Sequence, residues 1–213
     1  GKPNNLNGTH VYKLDDLIIE LLVNNNALLS KNKFRHSYPH CWRHKTPLIY
    51  RATPQWFISM SKNNLLSSVI KKTSDVNWIP LWGEARIKGM LEGRPDWCIS
   101  RQRKWGVPIT LLINKKTGEP HSNSSIIFSR ICKLVEEYGI EKWFDIGIEE
   151  LIDNPEDYEK VQDTLDVWFD SGSSHSAVLE KKPQLSFPAD LYLEGSDQHR
   201  GWFQSSLITS VAV

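Results

Sequence analysis

Polar residues directly follow an apolar run in Leu191-Tyr-Leu-Glu-Gly-Ser-Asp-Gln-His-Arg-Gly-Trp-Phe-Gln-Ser-Ser206. Residues 191–193 predict a buried strand, and an amphipathic pattern predicts a helix from Asp197 onward. Gly195 allows a tight turn between the two elements. In open α/β sheets, ligands bind at the carboxyl ends of parallel strands, where such loops lie. The stretch therefore predicts an α/β fold with a ligand site at residues 194–198.

The composition is that of a packed globular protein. Of its 213 residues, 39% are hydrophobic and 24% are charged, with a net charge of +1 and three cysteines. No apolar run approaches the roughly 18 residues of a membrane span, and no signal-peptide pattern is present. The sparse, odd cysteine count favours a reducing compartment. We therefore expect a cytoplasmic protein of one large or two small domains, whose overall charge gives no reason to bind nucleic acid.

The two ends of the sequence look like cut points. The chain starts at Gly1 without Met, and it stops at Val213 inside an apolar helical pattern that has no stop signal. We therefore expect a piece of a longer protein.

Hydrophobic periodicity and turn residues predict the remaining elements. Residues 140–162 are acidic and are expected to be irregular and exposed. Ser124 is expected to cap a helix that Gly139 closes. The pattern predicts helices over 14–29 (with a stop at 24–26), 82–91 and 124–138, and strands over 48–60 (interrupted at Pro54) and 107–114.

Glu194 and Asp197 are candidate ligand-binding carboxylates. The free N–H groups and positive dipole end of the following helix favour a phosphate or carboxylate. A carboxylate beside them suits an amine, a ribose hydroxyl or a metal. Alternatively, Asp197 only caps the helix and Glu194 is a solvated strand end. The residues alone leave both interpretations open.

The segment Asp166-Val-Trp-Phe-Asp-Ser-Gly172 is a second candidate. In an extended chain, Trp168 and Phe169 would point to opposite faces, and the last three residues are typical of a turn. One aromatic side chain could then line an apolar pocket while the other enters the core. The alternative is that both are core residues beside a turn.

A cluster of histidines and one cysteine, at His36, His40, Cys41 and His44, resembles part of a zinc site. Zinc prefers four nitrogen or sulfur ligands, often in paired half-sites. Only one half-site is present, because the other two cysteines stand alone in the sequence. We therefore predict no metal site, and expect these histidines to bond to backbone or to stack on Tyr38 and Trp42.

The segment 94–105 contains three arginines and two tryptophans, Trp97 and Trp105. It could contact RNA phosphates or stack on bases. It could also form a structural network of arginines with Asp96 and neighbouring carboxylates. The structural role is the preferred interpretation.

Four motifs together resemble the bacterial isoleucyl-tRNA synthetases, a family of class I aminoacyl-tRNA synthetases. They occur in the family's order from about His36 to the end of the chain, whereas the first thirty residues and 109–162 match loosely. Valyl- and leucyl-tRNA synthetases differ at the fourth motif. The motifs are His36-Ser-Tyr-Pro-His-Cys-Trp-Arg43, Trp97-Cys-Ile-Ser-Arg-Gln-Arg-Lys-Trp-Gly-Val-Pro108, Asp163-Thr-Leu-Asp-Val-Trp-Phe-Asp-Ser-Gly172 and Leu193-Glu-Gly-Ser-Asp-Gln-His-Arg-Gly-Trp-Phe203.

The resemblance implies a fold and a division of the chain. The fold would be the second half of a Rossmann-like catalytic domain with a connective insertion. Residues 1–35 would be the exit from the editing domain, which hydrolyses mischarged tRNA. Residues 36–162 would be the connective region, and 163–213 the start of the second half of the nucleotide-binding fold.

The resemblance also implies roles for six residues. Glu194 would bind the aminoacyl-adenylate through the ammonium of the amino acid. Next to it, Gly195, Asp197 and Gln198 would lie against the adenylate. The wall for the isoleucine side chain would be formed by Trp168 and Trp202.

The implied reaction is ATP-dependent activation of isoleucine, followed by transfer to tRNA(Ile). Such chemistry relies on positioning and electrostatic stabilisation, so no residue here is expected to act as a nucleophile, acid or base. One methylene in an apolar pocket is worth only about 1–3 kcal/mol, a range for which isoleucyl-tRNA synthetase is itself a known example. That limit explains why the family edits mischarged valine.

Several departures from the family pattern matter. The two signature motifs that hold the phosphates of ATP, His-Ile-Gly-His and Lys-Met-Ser-Lys-Ser, are missing, so these residues alone should be inactive. Some members carry Cys where this chain has His44, which weakens any metal site here and leaves zinc for regions outside this sequence. ATP with Mg²⁺, isoleucine and tRNA(Ile) are the implied partners of a monomeric enzyme.

Two alternatives stay open from the sequence. One is a related synthetase for valine or another apolar amino acid. The other is a noncatalytic RNA-binding module that keeps the fold.

Overall fold

A computed structural model describes residues 6–213 of the chain. The chain divides into two compact units, Gly1–Ala52 and Thr53–Val213. In the first unit, a 3-10 turn at Val11–Lys13 leads into helix α1, Leu14–Asn24. The predicted helix 14–29 therefore ends at its Asn-rich stop, where Asn26 adopts a positive φ of 53°.

The second unit contains six helices and six short strands among the described residues. The helices are α2 (Leu65–Lys72), α3 (Trp82–Glu92), α4 (Ser124–Tyr138), α5 (Lys142–Asp145), α6 (Val167–Gly172) and α7 (Trp202–Ala212). The strands are β1 (Phe57–Ile58), β2 (Trp97–Cys98), β3 (Ser100–Arg101), β4 (Leu112–Asn114), β5 (Tyr158–Lys160) and β6 (Thr164–Leu165). Further turns of 3-10 helix are Lys62–Asn64, Thr73–Asp75, Ile148–Glu150, Pro155–Asp157 and Ser196–Arg200, with a π-helix at His175–Glu180.

The strands form three antiparallel pairs, β1–β2, β3–β6 and β4–β5. The mixed α/β character expected from the sequence is confirmed. The predicted strand at 191–193 is wrong, because these residues form neither helix nor strand, and Leu191 and Leu193 are 69% and 81% exposed. A strand requires a neighbouring backbone to pair with, which a local apolar pattern cannot supply.

Two hydrophobic clusters hold the second unit together. The first packs α2, α3 and α7 against β2, and its buried members are Met60, Val69, Ile87, Leu91, Trp97 and Ile208. Burying such side chains contributes about 1.5–3 kcal/mol each before the opposing chain entropy is counted. Because Ile208 lies in the last helix, this cluster fixes α7 against the first half of the unit.

The second cluster packs α4 against β4, α5 and the segment that follows. Its buried members are Leu112, Ile127, Ile131, Trp143, Ile146 and Leu151. The expectation that 140–162 would be irregular and exposed is therefore wrong. Lys160 explains part of the difference, because its Nζ donates to the backbone oxygen of Trp143 at 2.6 Å and also to that of Ile146. The acidic residues that dominate this segment lie mainly on its outer side.

Other predicted elements are confirmed or shortened. The helices predicted at 82–91 and 124–138 are present, and Gly139, with φ of 84°, ends the second one. The expected cap at Ser124 is wrong, because Ser124 is the first helical residue and Asn123 holds the N-cap position. The predicted strands 48–60 and 107–114 shrink to β1 and β4. No helix in the described part of the chain is long and apolar enough to cross a membrane.

Candidate functional site

Trp168 lies in the first turn of α6, so this segment is helical rather than extended. Asp166 is the N-cap of α6, and its Oδ1 accepts a hydrogen bond from the backbone N–H of Trp168 at 3.2 Å. Neighbouring helical residues differ by about 100° in direction, which still separates the two aromatic side chains. Phe169 packs into the first cluster beside Trp97, whereas Trp168 stays 44% exposed.

Close backbone contacts join α6 to α7. A Cβ on Gly172 would lie only 2.8 Å from the backbone oxygen of Ser205, so a glycine is needed at this crossing. Two bonds reinforce it: the hydroxyl of Thr209 donates to the oxygen of Gly172 at 2.7 Å, and Nε1 of Trp202 donates to the oxygen of Ser171 at 2.9 Å. These contacts bring the helix of Trp168 against the helix that begins at Trp202.

The two predicted tryptophans thus lie on adjoining segments. The ring of Trp168 reaches Gly201, where an added Cβ would be 3.2 Å from Cη2 of the indole. Trp202 follows immediately in the chain and stacks on Tyr192 with ring centroids 4.6 Å apart and an interplanar angle of 15°. Trp168, against Gly201, and Trp202, stacked on Tyr192, therefore both lie beside the start of α7.

Gln198 has a structural contact as well as a candidate ligand role. Its Oε1 accepts a hydrogen bond from the backbone N–H of Trp202 at 2.9 Å, and its Nε2 donates to Oδ2 of Asp197 at 3.0 Å. The predicted helix from Asp197 is therefore split into the 3-10 turn Ser196–Arg200 and α7. Because Oε1 satisfies one of the first amides of α7, the glutamine acts as a cap from within the preceding turn.

Buried His199 anchors this turn. Its ring lies 5.9 Å from that of Trp78 and 5.7 Å from that of Trp82, and its Nδ1 bonds to the oxygen of Ser196 at 2.8 Å. The imidazole thereby attaches the 3-10 turn to α3 and to the segment before it. The neighbouring candidates, Asp197 and Gln198, consequently protrude from an anchored turn.

The remaining candidates lie just before the turn. A Cβ on Gly195 would be 2.6 Å from Oδ1 of Asp197, so the glycine leaves room for that carboxylate. Glu194 is exposed, and it takes part in none of the hydrogen bonds or ion pairs found among the described residues. The structure thus places Asp197 and Gln198 on the turn just before Trp202, and it places Trp168 of α6 against Gly201 at the end of that turn. Glu194 precedes the turn and is exposed to solvent.

A cavity of about 90 Å³ lies where these segments meet. It is smaller than the roughly 300 Å³ at which ligand pockets begin. Sequence reasoning had not identified Arg94 or Gln204 as part of this region, although a Gln inside an apolar helix is an unusual signal. The cavity is lined by Arg94, Trp97, Asp166, Trp168, Arg200, Gly201, Gln204 and Ser205.

The basic segment divides into a structural and an exposed part. Arg101 forms an ion pair with Asp166 at 3.0 Å, and Arg94 donates a hydrogen bond to Oε1 of Gln204. Desolvation lowers the pKa of Arg94, and the charge of Asp166 opposes that effect. The expected pairing with Asp96 is not found, since that carboxylate accepts from the backbone N–H of Met60. By contrast, Trp105 is 94% exposed.

The cysteine–histidine segment of the first unit forms one pair. Sγ of Cys41 lies 3.4 Å from Nδ1 of His44, and backbone bonds from His44 and Arg43 lower the pKa of the thiol. Within residues 6–213 there is no group of three or more His, Cys, Asp or Glu residues placed to hold a metal ion. The residues present therefore do not fit a zinc site, which needs four ligands.

Comparison with known proteins matches almost the whole chain to the class I tRNA synthetases. Residues 9–213 match the family described as tRNA synthetases class I (I, L, M and V). Isoleucine–tRNA ligases of Teredinibacter turnerae and a Marinomonas species are each 58% identical over 207 residues, covering 97% of this chain and 22% of theirs. That of Vibrio atlanticus is 54% identical over 215 residues, covering 97% and 23%.

The chain therefore spans just over a fifth of the length of these relatives. The motifs quoted from the sequence and the mixed helix–strand architecture agree with that match. The chain belongs to the class I tRNA synthetases of the isoleucine, leucine, methionine and valine group.

Proposed function

We propose that this chain is part of an isoleucine–tRNA ligase and contributes the site that holds isoleucyl-adenylate. The observation that carries the proposal is the 58% identity to isoleucine–tRNA ligases across a segment that includes every candidate site residue. The complete protein would use ATP to activate isoleucine and would then transfer the aminoacyl group to tRNA(Ile).

The aromatic residues suit an apolar side chain. Trp168 is half exposed on the surface of α6, and Trp202 is held in place by Tyr192 and by its indole bond to Ser171. Rigid rings with little rotamer freedom make a well-defined wall for a branched aliphatic group. We assign both indoles to the isoleucine pocket, which other parts of the complete protein would enlarge beyond the small cavity seen here.

The polar residues suit the rest of the adenylate. Glu194 is free to bind the ammonium of the amino acid, because it has no partner among the described side chains. The amide of Gln198 uses one N–H toward Asp197, so its second N–H is available to a ligand oxygen. Gly195 lets the adenylate approach the backbone and leaves space for the carboxylate of Asp197.

Activation requires the isoleucine carboxylate to attack the α-phosphorus of ATP, which releases pyrophosphate. The residues of this chain would hold the amino acid and the adenylate in place, and they supply no covalent nucleophile. Electrostatic stabilisation by preorganised groups is then the main catalytic contribution. Mg²⁺ would accompany the phosphates of ATP, which lie nearest to motifs outside this sequence.

The organisation of the chain is also part of the proposal. Residues 1–35 would leave the editing domain, 36–162 would connect, and 163–213 would begin the second half of the nucleotide-binding fold. The complete protein would be a cytoplasmic monomer that edits mischarged valine, and any zinc would be bound outside this sequence. Residues 1–213 alone are expected to be inactive.

Exchange of pyrophosphate into ATP tests the proposal directly. The complete protein should catalyse exchange that depends on isoleucine and should charge tRNA(Ile) with it. A preference for valine would identify a different synthetase of the same group. Binding of tRNA without any amino-acid-dependent exchange would identify a noncatalytic module.

A further inference from the structure

A buried carboxylate, Asp166, lies directly behind the Trp168 wall. The residue is 4% exposed, two groups donate hydrogen bonds to its oxygens, and an arginine forms an ion pair with it. Oδ1 accepts from the backbone N–H of Trp168 at 3.2 Å. Oδ2 accepts from Nε1 of Trp97 at 3.2 Å and lies 3.0 Å from Nη2 of Arg101. This aspartate is not one of the six residues assigned to the ligand.

The partners of Asp166 are themselves fixed. Nη1 of Arg101 donates to the backbone oxygens of Cys98 at 3.0 Å and Ser100 at 2.8 Å. Strand pairing between β3 and β6 places Arg101 opposite Thr164, two residues before the aspartate. Since a buried charge is costly unless it is paired and hydrogen-bonded, this arrangement holds the carboxylate in one position.

The bond from Asp166 reaches the backbone of Trp168 itself. An N-cap side chain satisfies one of the free amides of the first helical turn, and here that amide belongs to the residue that carries the indole. The backbone conformation of a residue fixes the direction of its Cα–Cβ bond. By holding the backbone of Trp168, the cap therefore fixes the direction in which the indole leaves the helix. Gly201 then limits how far the ring extends.

We propose that Asp166 is a positioning residue for amino-acid selectivity: through its cap on α6 and its ties to Arg101 and Trp97, it sets the place of the Trp168 wall. The inference rests on the proposed function, because it assumes that Trp168 faces isoleucine. Displacing the wall changes the fit of the side chain and leaves the ATP-binding parts unchanged. Asp166 therefore acts on the preference between isoleucine and valine.

The test uses the complete protein and measures kcat/KM for isoleucine and valine, together with KM for ATP, by pyrophosphate exchange. Asp166→Ala should lower the isoleucine-to-valine preference by about fivefold to tenfold, with KM for ATP unchanged. Asp166→Asn should restore much of the preference, because Asn is an equally good N-cap.

A double-mutant cycle separates positioning from general damage. In a Trp168→Ala background, Asp166→Ala should cause no further loss of preference, since the wall it positions is gone. Ile131→Ala, which truncates the second cluster away from α6, is the control for destabilisation and should leave the preference at the wild-type value.

Each outcome decides the question. Equal loss of isoleucine and valine exchange in Asp166→Ala, or an additive effect with Trp168→Ala, would overturn the inference. If Asp166→Ala does not fold, Trp97→Phe removes the indole donor together with part of a ring that packs in the first cluster. An unchanged preference in that variant would overturn the inference as well. A wild-type protein that prefers another amino acid refutes the proposed function, whereas the cycle still reports whether Asp166 acts through Trp168.

Discussion

The indole of Trp168 lies close against Gly201: an added Cβ there would lie 3.2 Å from Cη2 of the ring and 2.6 Å from Oε1 of Gln198, so it would crowd the ring and displace the glutamine oxygen. Oε1 of Gln198 also accepts the hydrogen bond from the backbone N–H of Trp202. The absence of a side chain at Gly201 therefore allows both the close approach of Trp168 and the hydrogen bond that holds the backbone of Trp202.

We expect Gly201→Ala to disturb this contact. The new methyl group displaces the glutamine and pushes the Trp168 ring outward, so KM for isoleucine should rise by about fivefold or more in pyrophosphate exchange, from a perturbation of roughly 1 kcal/mol. Gly89→Ala is the matched control, because no heavy atom lies within 4 Å of its added Cβ. Equal kinetics in the two variants would contradict the close contact.

Trp168→Ala should reduce side-chain selectivity. If Trp168 forms the proposed wall, its removal enlarges the pocket, so the preference for isoleucine over valine should fall by about tenfold. The measurement is kcat/KM for exchange with each amino acid. Trp105→Ala removes an exposed indole outside the site and should keep the wild-type preference; a preference in Trp168→Ala as high as in this control would show that Trp168 does not line the pocket.

Glu194→Ala should weaken amino-acid binding strongly. If the carboxylate binds the ammonium group of isoleucine in a desolvated site, its loss should lower kcat/KM for isoleucine in exchange at least about 30-fold. Circular dichroism should show an unchanged fold, since the side chain makes no bond within the described residues. Glu136→Ala, on the exposed side of α4, should behave as wild type. Wild-type exchange by Glu194→Ala would refute the assigned role.

Asp170→Asn should stabilise α6 at neutral pH. Burial raises the pKa of Asp170, and the neighbouring charge of Asp166 raises it further. A carboxyl whose pKa is higher in the folded state favours folding only when protonated, so its favourable effect is lost as pH rises through that pKa. Hydrogen exchange of α6 should therefore be slower in the variant at pH 7. The difference should shrink as pH falls toward the ordinary value of 3.8.

Asp75→Asn should have the opposite effect on local stability at neutral pH. A hydrogen bond from Lys72, followed by its charge, lowers the pKa of Asp75, so this carboxylate contributes stability above its ordinary value of 3.8 and loses it on acidification. Exchange at the end of α2 should be faster in Asp75→Asn at pH 7. The same direction of change in both variants would show that the two shifts do not control local stability.

Local sequence determined the elements that depend on local interactions. The helices at α3 and α4 were predictable from the spacing of their apolar residues, and Gly139 from its position at the helix end. The same reasoning failed at 191–193, because a strand depends on a partner that the pattern does not contain. It also failed at 140–162, where Trp143 and Ile146 are buried among acidic neighbours by contacts with α4.

The candidate site shows the same division. The motifs of the sequence pointed to Trp168, Trp202 and the Glu194–Gln198 turn as candidates, because the family resemblance depends on the order of residue types and not on their conformation. Only the tertiary structure placed the Trp168 ring against Gly201 and the Asp166 carboxylate behind it. The cap, the ion pair with Arg101 and the bond from Trp97 join residues as far as 69 positions apart. Such contacts arise from packing several segments together, which no single stretch of sequence encodes.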